Sequence, residues 1–353
     1  MARRSFGVLA TLFGAVIVLA ANNSGRQCAP TEAPCLVPVE TIAFTSTMTN
    51  PTATDQVSLF AAGEIYLIDA DGTNLRRLTY NTDADGFATL SPDGLGKIIF
   101  DSNRLRTATE PLNTSDLFLM KADGSEPEVH LVRGGSPSWS PDSHWFAFHA
   151  SASGTGLPIK RDPGAATIDS DIFVANVDDL LDGSGVPRNV TNNPLTVDDD
   201  PEWSPDGQRL AFTSHGVNDP HLNSVTAEIY TINIDGTGLT RLTNNTEEER
   251  APDWSPDGSR IAFMCRRGGS DFEICVMNGD GSAQVQITDN TTGDLSPKWS
   301  PDGTRIVFHR LDGSTLQLFT MNPDGTEVSQ LTHFPGTNLL ADWGILKIGR
   351  PQR

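Results

Sequence analysis

Hydrophobic positions in this chain recur in short alternating runs, not at helical spacing. An aliphatic-x-Phe segment appears at Ile42-Ala43-Phe44, Ile98-Ile99-Phe100, Leu210-Ala211-Phe212, Ile261-Ala262-Phe263 and Ile306-Val307-Phe308, with Phe146-Ala147-Phe148 as a sixth. Positions i and i+2 share one face of a strand, so each triplet predicts a strand with a buried face. A second alternating segment follows, such as Glu64–Ile68 or Glu228–Ile232. Asp-Gly comes next, at 71–72, 123–124, 182–183, 235–236, 280–281 and 324–325, and a third segment usually ends in an apolar-Thr pair: Leu78-Thr79, Val190-Thr191, Leu242-Thr243, Ile287-Thr288, Leu331-Thr332. Alternating segments joined by Asp-Gly are antiparallel hairpins.

A fourth segment leads into a recurring anchor. Ser-Pro-Asp-Gly stands at 91–94, 204–207, 255–258 and 300–303, with Ser140-Pro141-Asp142-Ser143 as a variant. Trp139, Trp203, Trp254 and Trp299 precede four of these turns, Leu90 precedes the first, and Trp343 marks a degenerate sixth copy. Successive anchors are 49, 64, 51, 45 and 44 residues apart. Four strands in each of six units predict an all-β fold, a six-bladed β-propeller of four-stranded antiparallel blades. The turn chemistry needs no catalysis: Ser accepts a hydrogen bond, Pro presets φ, and Asp and Gly complete a type I turn. The tryptophan gives neighbouring blades a large apolar face. The first unit lacks an anchor strand and the last has one to spare, so pairing of the N- and C-terminal strands closes the ring and removes a free edge. The alternative has residues 35–41 supplying that strand.

Units such as Trp203-Ser-Pro-Asp-Gly, Leu210-Ala-Phe, Ile229-Tyr, Asp235-Gly236 and Leu242-Thr243 resemble TolB-type propeller repeats, which are WD-repeat-like. The resemblance spans roughly residues 40–345 and implies the fold, whereas function must come from a site. The α/β domain that precedes the TolB propeller has no counterpart in the short stretch ahead of the first strand, so the role of that domain in the Tol–Pal envelope system is not carried over.

Arg3 and Arg4 followed by an apolar run from Phe6 to Ala21 read as a signal peptide over residues 1–21. A leader over 22–39, the propeller over 40–348 and a tail over 349–353 complete the expected organisation. Sixteen apolar residues are fewer than the roughly 20 a membrane span needs, and an uncleaved anchor is the competing reading. The expected location is secreted or periplasmic. Lys+Arg is 25 against Asp+Glu 45, a net charge of −20. That charge repels nucleic-acid phosphate and anionic lipid, which argues against both as partners. With 37 % hydrophobic residues the chain can fill its cores, and four cysteines are too few for a disulfide scaffold. Cys265 and Cys275 flank one hairpin and are expected to face each other and form a disulfide in an oxidising compartment; Cys28 and Cys35 could close a small leader loop.

In such a ring the tight Ser-Pro-Asp-Gly turns share one face, and the long segments 46–63, 102–115, 150–171 and 214–227 share the other, where recognition usually sits. Five residues ahead of each anchor stand Asp85, Gly134, Asp198, Glu249, Asp294 and Asn338, with Asp199, Asp200 and Glu248 nearby. These carboxylates should ring the channel mouth and favour a cationic group; the competing role is bonding to backbone amides of the incoming loop. His149 and His309 follow the Phe of their units and approach the same face. Several convergent oxygens would suit Ca²⁺, but their spacing fits no recognised loop, and no cofactor or metal is expected. Gly-x-Ser-x-Gly, His-Glu-x-x-His and a glycine-rich phosphate loop are all missing from the sequence. The expectation is a monomeric, non-catalytic binding or scaffold module. It would recognise a protein or peptide, such as one of the envelope, through the acidic mouth. The alternatives are a polysaccharide lyase or carbohydrate-binding propeller with a metal at the mouth, and a purely structural envelope component.

Overall fold

Period-two alternation becomes strand wherever a neighbouring surface can cover the apolar face, and here each neighbour is another small sheet. The structure is a computed structural model that describes residues 36–48, 63–108, 110, 114–124, 128–151, 170–193, 196–216, 227–268 and 271–349, with only the backbone of 36, 348 and 349. Blade 1 opens with β1 (Leu36–Ser46), β2 (Glu64–Asp69) and β3 (Arg76–Arg77). Blade 2 is β4 (Asp85–Leu90), β5 (Lys97–Ser102), β6 (Asp116–Lys121) and β7 (Val129–Arg133). Blade 3 is β8 (Gly135–Trp139), β9 (Trp145–Ala150), β10 (Asp171–Asn176) and β11 (Arg188–Asn189), with the short helix α1 (Val177–Asp182) before β11. Blade 4 is β12 (Thr196–Trp203), β13 (Arg209–Gly216), β14 (Ala227–Asn233) and β15 (Thr240–Arg241). Blade 5 is β16 (Glu249–Trp254), β17 (Arg260–Cys265), β18 (Glu273–Asn278) and β19 (Val285–Gln286). Blade 6 is β20 (Asp294–Trp299), β21 (Ile306–Asp312), β22 (Thr315–Met321) and β23 (Ser329–Gln330), and β24 (Asn338–Gly349) follows.

The last strand returns to the first sheet, whose order is β24-β1-β2-β3. The ring is therefore closed by both ends of the propeller. Residues 36–41 continue β1 and do not form a separate fourth strand, so that alternative falls. Ser46 Oγ donates to Asn338 Oδ1 at 2.6 Å, and Thr47 N donates to Thr337 O at 3.0 Å, which fixes the register of the seam.

There is no single core. Six apolar clusters lie between blades, and each anchor residue reaches into the preceding blade. Trp203 packs on Ala147, Ile172 and Val174 of blade 3. Trp254 packs on Ala211 and Ile229 of blade 4, and Trp299 on Ala262 and Ile274 of blade 5. Inside five blades the phenylalanine of the aliphatic-x-Phe strand stacks on an aromatic in register on the next strand, as in Phe100 on Phe118 at 5.9 Å between centroids. Blade 5 departs from this rule. Cys275 stands opposite Phe263, and Cys265 opposite Glu273. The two cysteines are disulfide-bonded with Cα atoms 5.8 Å apart. Their alignment is thus diagonal, not face to face, because the hairpin pivots one residue earlier than equal pairing of the cysteines requires.

The Ser-Pro-Asp-Gly turns close themselves. Ser204 Oγ donates to Asp206 Oδ1 at 2.6 Å and accepts from Arg209 N at 2.9 Å, and Ser255 and Ser300 repeat the pattern. Gly207 has φ +67°, the left-handed region that glycine enters without a Cβ clash.

Candidate functional site

The apolar-Thr pair has a structural purpose at the loop-bearing end of five blades. Thr243 Oγ1 accepts from Ile229 N, and Thr79, Thr191, Thr288 and Thr332 each cap the equivalent amide in their own blade. The residue one before that amide is Glu64, Asp171, Glu228, Glu273 or Gln317. It faces the ring residue of the next blade, so polar side chains meet in pairs at the junctions.

The ring residues lie at or near the start of each innermost strand, Asp198 being the third residue of β12, and those with side chains are buried. Asp85, Asp198, Glu249, Asp294 and Asn338 are each at most 2 % exposed. Three carboxylates have arginine partners from their own blade. Arg104 Nη2 donates to both oxygens of Asp85 at 2.8 and 3.0 Å. Arg310 grips Asp294 through Nε at 2.5 Å and Nη2 at 2.6 Å. Arg267 Nη2 lies 3.5 Å from Glu249 Oε1. Asn81, Asn245 and Asn290, each four residues upstream of its acid, donate to the same three carboxylates. Asp198 accepts from Ser214 Oγ at 2.6 Å, and burial pushes its carboxyl up to about 6. Asn338 donates to Gln317 Oε1 at 2.9 Å. Gly134 has no side chain because none fits: a Cβ there would lie 2.6 Å from Phe148 Cδ2 and 2.8 Å from His149 O. The mouth is therefore a set of internal side-chain clamps. The backbone-amide role does not describe it either.

His149 lies on β9 of blade 3 and His309 on β21 of blade 6. Blades 3 and 6 are opposite in a ring of six, so the two histidines do not share a site. Burial holds the His309 imidazole down at about 3, neutral at any ordinary pH. Among the described residues no group of three or more His, Cys, Asp or Glu is arranged to hold a metal.

The position directly before each anchor, which the sequence reading passed over, carries Thr89, Ser138, Glu202, Asp253, Lys298 and Asp342. Three residues before each anchor, at Phe87, Ser136, Asp200, Ala251, Ser296 and Leu340, φ lies between +47° and +53°. At five of these the strand pairing shifts register across the residue, between 86 and 89 in blade 2 for instance, which is a β-bulge. Phe87, Pro137, Pro201, Pro252, Pro297 and Leu340, one from each blade, line a central cavity that is open to solvent. One layer nearer the tight turns, Lys298 Nζ pairs with Glu202 and lies 3.0 Å from Asp253 Oδ1. Asp342 Oδ2 accepts from Leu90 N at 2.7 Å, and Asp253 Oδ2 accepts from Trp299 N at 2.7 Å, so these carboxylates also staple neighbouring blades. Burial pushes Glu202 up to about 7 against the pull of Lys298, and raises Asp253 and Asp342 as well. Burial opposes the Lys298 charge, yet Asp253, Glu202 and Asp342 together hold that ammonium above its usual range.

The family described as the TolB beta propeller domain matches residues 201–345. TolB from Acinetobacter baumannii superposes with a TM-score of 0.64 at 19 % identity, over 86 % of this chain and 66 % of that one. The fold is a TolB-type β-propeller. The Tol-Pal system protein TolB of Francisella tularensis is 34 % identical over 81 residues, 23 % of this chain and 16 % of that protein. Dipeptidyl-peptidase 5 of Porphyromonas gingivalis is 42 % identical over 67 residues, 19 % of this chain and 10 % of that protein. The chain thus matches less than a fifth of the length of either curated relative.

In this TolB-type propeller the one signal that could have exposed the channel is the proline two residues before Trp139, Trp203, Trp254 and Trp299. A proline in an innermost strand marks a bulge or an unpaired edge. The identity of the residue that follows it varies, so its convergence on the axis is invisible without the ring.

Proposed function

We propose that this TolB-type propeller is an exported, non-catalytic module that binds a segment of a protein or peptide partner at its central channel. The observation that supports the reading is the excess of carboxylate beneath the apolar wall: Glu202, Asp253 and Asp342 against the single ammonium of Lys298. A cationic side chain entering through the proline-lined neck would meet negative potential in a low-dielectric setting. The clamps at Asp85, Asp198, Glu249, Asp294 and Asn338 hold the wall and the loops around that entry. A partner in the envelope fits the likeness to the Tol-Pal system protein and the apolar N-terminal run. No helix among the described residues is long and apolar enough to cross a membrane.

Cross-linking capture from an envelope extract, comparing the native protein with Glu202→Gln/Asp253→Asn, tests the proposal. Loss of a captured partner by a folded double variant is expected; equal capture by both proteins sinks the channel reading. The match to dipeptidyl-peptidase 5 favours a second reading, in which this propeller serves a peptidase. Dipeptide-releasing activity captured from the same extract by the native protein would decide for it.

A further inference from the structure

At three blade junctions a donor fills the gap between the two facing polar side chains, whereas at the junction of blades 4 and 5 two facing carboxylate oxygens are left without one. Between blades 6 and 1 the amide of Asn338 donates to Gln317 Oε1 at 2.9 Å. Between blades 5 and 6, Asn290 Nδ2 bridges Glu273 Oε2 at 3.1 Å and Asp294 Oδ2 at 3.0 Å. Between blades 1 and 2, Thr79 Oγ1 donates to Glu64 Oε2 and Asn81 to Asp85 Oδ2, both at 2.6 Å. Between blades 4 and 5 the facing residues are Glu228, 3 % exposed, and Glu249, fully buried. Their Oε1 atoms are engaged: Arg241 Nη2 reaches Glu228 Oε1 at 2.6 Å, and Asn245 Nδ2 reaches Glu249 Oε1 at 2.5 Å. Both Oε2 atoms are buried without a hydrogen-bond partner, and the charge of each carboxyl group bears on the other across the junction.

We propose that Glu228 and Glu249 share one proton across the junction of blades 4 and 5, making this seam a pH-sensitive latch on the loop-bearing face. Two buried carboxylates that face each other do not readily both stay ionised, and a proton between them supplies the missing donor. A metal ion fits worse, because Arg241 and Arg267 already bring two positive charges to the pair. Thr243 from the loop after β15 also faces Glu249, and Glu248 beside it is taken by Arg250 and Arg266. Burial and the Glu228 carboxylate raise Glu249 to about 7, with Asn245 and Thr243 opposing. The folded protein therefore holds this proton more tightly than the unfolded chain. The latch is fully closed below the unfolded carboxyl range near 4.5 and is lost as pH rises through about 7. This inference stands on the junction alone and does not depend on what the channel binds.

Melting temperature against pH from 5 to 8 tests it with Glu228→Gln, Glu249→Gln and the double variant. Glutamine supplies a permanent N–H in the gap. Each single variant should flatten the fall in melting temperature by the same amount, and the double variant should flatten it no further. Flattening that adds across the two sites, or none in either single variant, overturns a shared proton. If the variants do not fold, side-chain carboxyl NMR of the native protein decides. A glutamate with its midpoint near 7 is expected at Glu249; the absence of any glutamate titrating there overturns the proposal.

Discussion

Lys298 shows how much one side chain can decide in a ring. Its ammonium compensates Glu202 from blade 4 and Asp253 from blade 5 while standing on blade 6. Lys298→Met should destabilise the protein by about 3 kcal/mol at pH 7, since removing one partner strands buried charge. The loss should shrink at pH 5, where the carboxylates take up protons; urea titration at both pH values checks this. Asp101 is the mirror case. Burial pushes its carboxyl to about 8, opposed by its own amide and Ser115 and reinforced by Asp85. The folded state thus keeps a proton that the unfolded chain releases near 4, and the stability it contributes drains away as pH climbs to about 8. Asp101→Asn should melt higher than the native protein at pH 8 and similarly at pH 4, as calorimetry would show. The spacing of the ring residues was readable in the sequence, whereas their partners were not. Arg104 lies four residues after Phe100 and Arg310 two after Phe308, so no fixed offset links arginine to acid.

At the level of the strand and hairpin, period-two alternation and turn chemistry carried nearly everything. The aliphatic-x-Phe strands, the Asp-Gly turns and the anchor turns need only local hydrogen bonds and one buried face. The apolar-Thr pair was visible as a pattern without a reason; its hydroxyl joins two strands of one blade. Thr332 Oγ1 accepts from Leu318 N at 2.9 Å and donates to Gln317 Oε1 at 2.8 Å, fully buried. Thr332→Val should cost about 1–3 kcal/mol by leaving the Leu318 amide unsatisfied, and hydrogen exchange at that amide should accelerate. The cysteine hairpin was misaligned because counting inward from two cysteines assumes they are cross-strand partners. The aromatic stacking position opposite Phe263 instead set the register, and Cys275 occupies it.

Across the whole molecule, closure is what turns six weak sheets into a stable body. Outermost strands of two residues, such as β3 and β15, offer little edge for aggregation. The seam depends on β24, whose Trp343 and Ala341 pack with Ile42 and Phe44 of β1 and Val307 and Leu318 of blade 6. A chain ending at Thr337 should leave blade 1 without its innermost strand. It should lose cooperative unfolding and associate in solution, as circular dichroism and size-exclusion chromatography would reveal. The channel belongs to this scale too, because its six contributors come one from each blade.

What the amino-acid order determined alone is the part governed by neighbours along the chain. That part comprises strand alternation, turn type, the sixfold count, and the need for the last strand to complete the first sheet. Tertiary structure decided which charges meet. Carboxylates spaced evenly along the chain were compensated by arginines and asparagines at some junctions and left to a proton or a lysine at others. Electrostatic energy depends on distance and burial in space, and only the closed ring sets those.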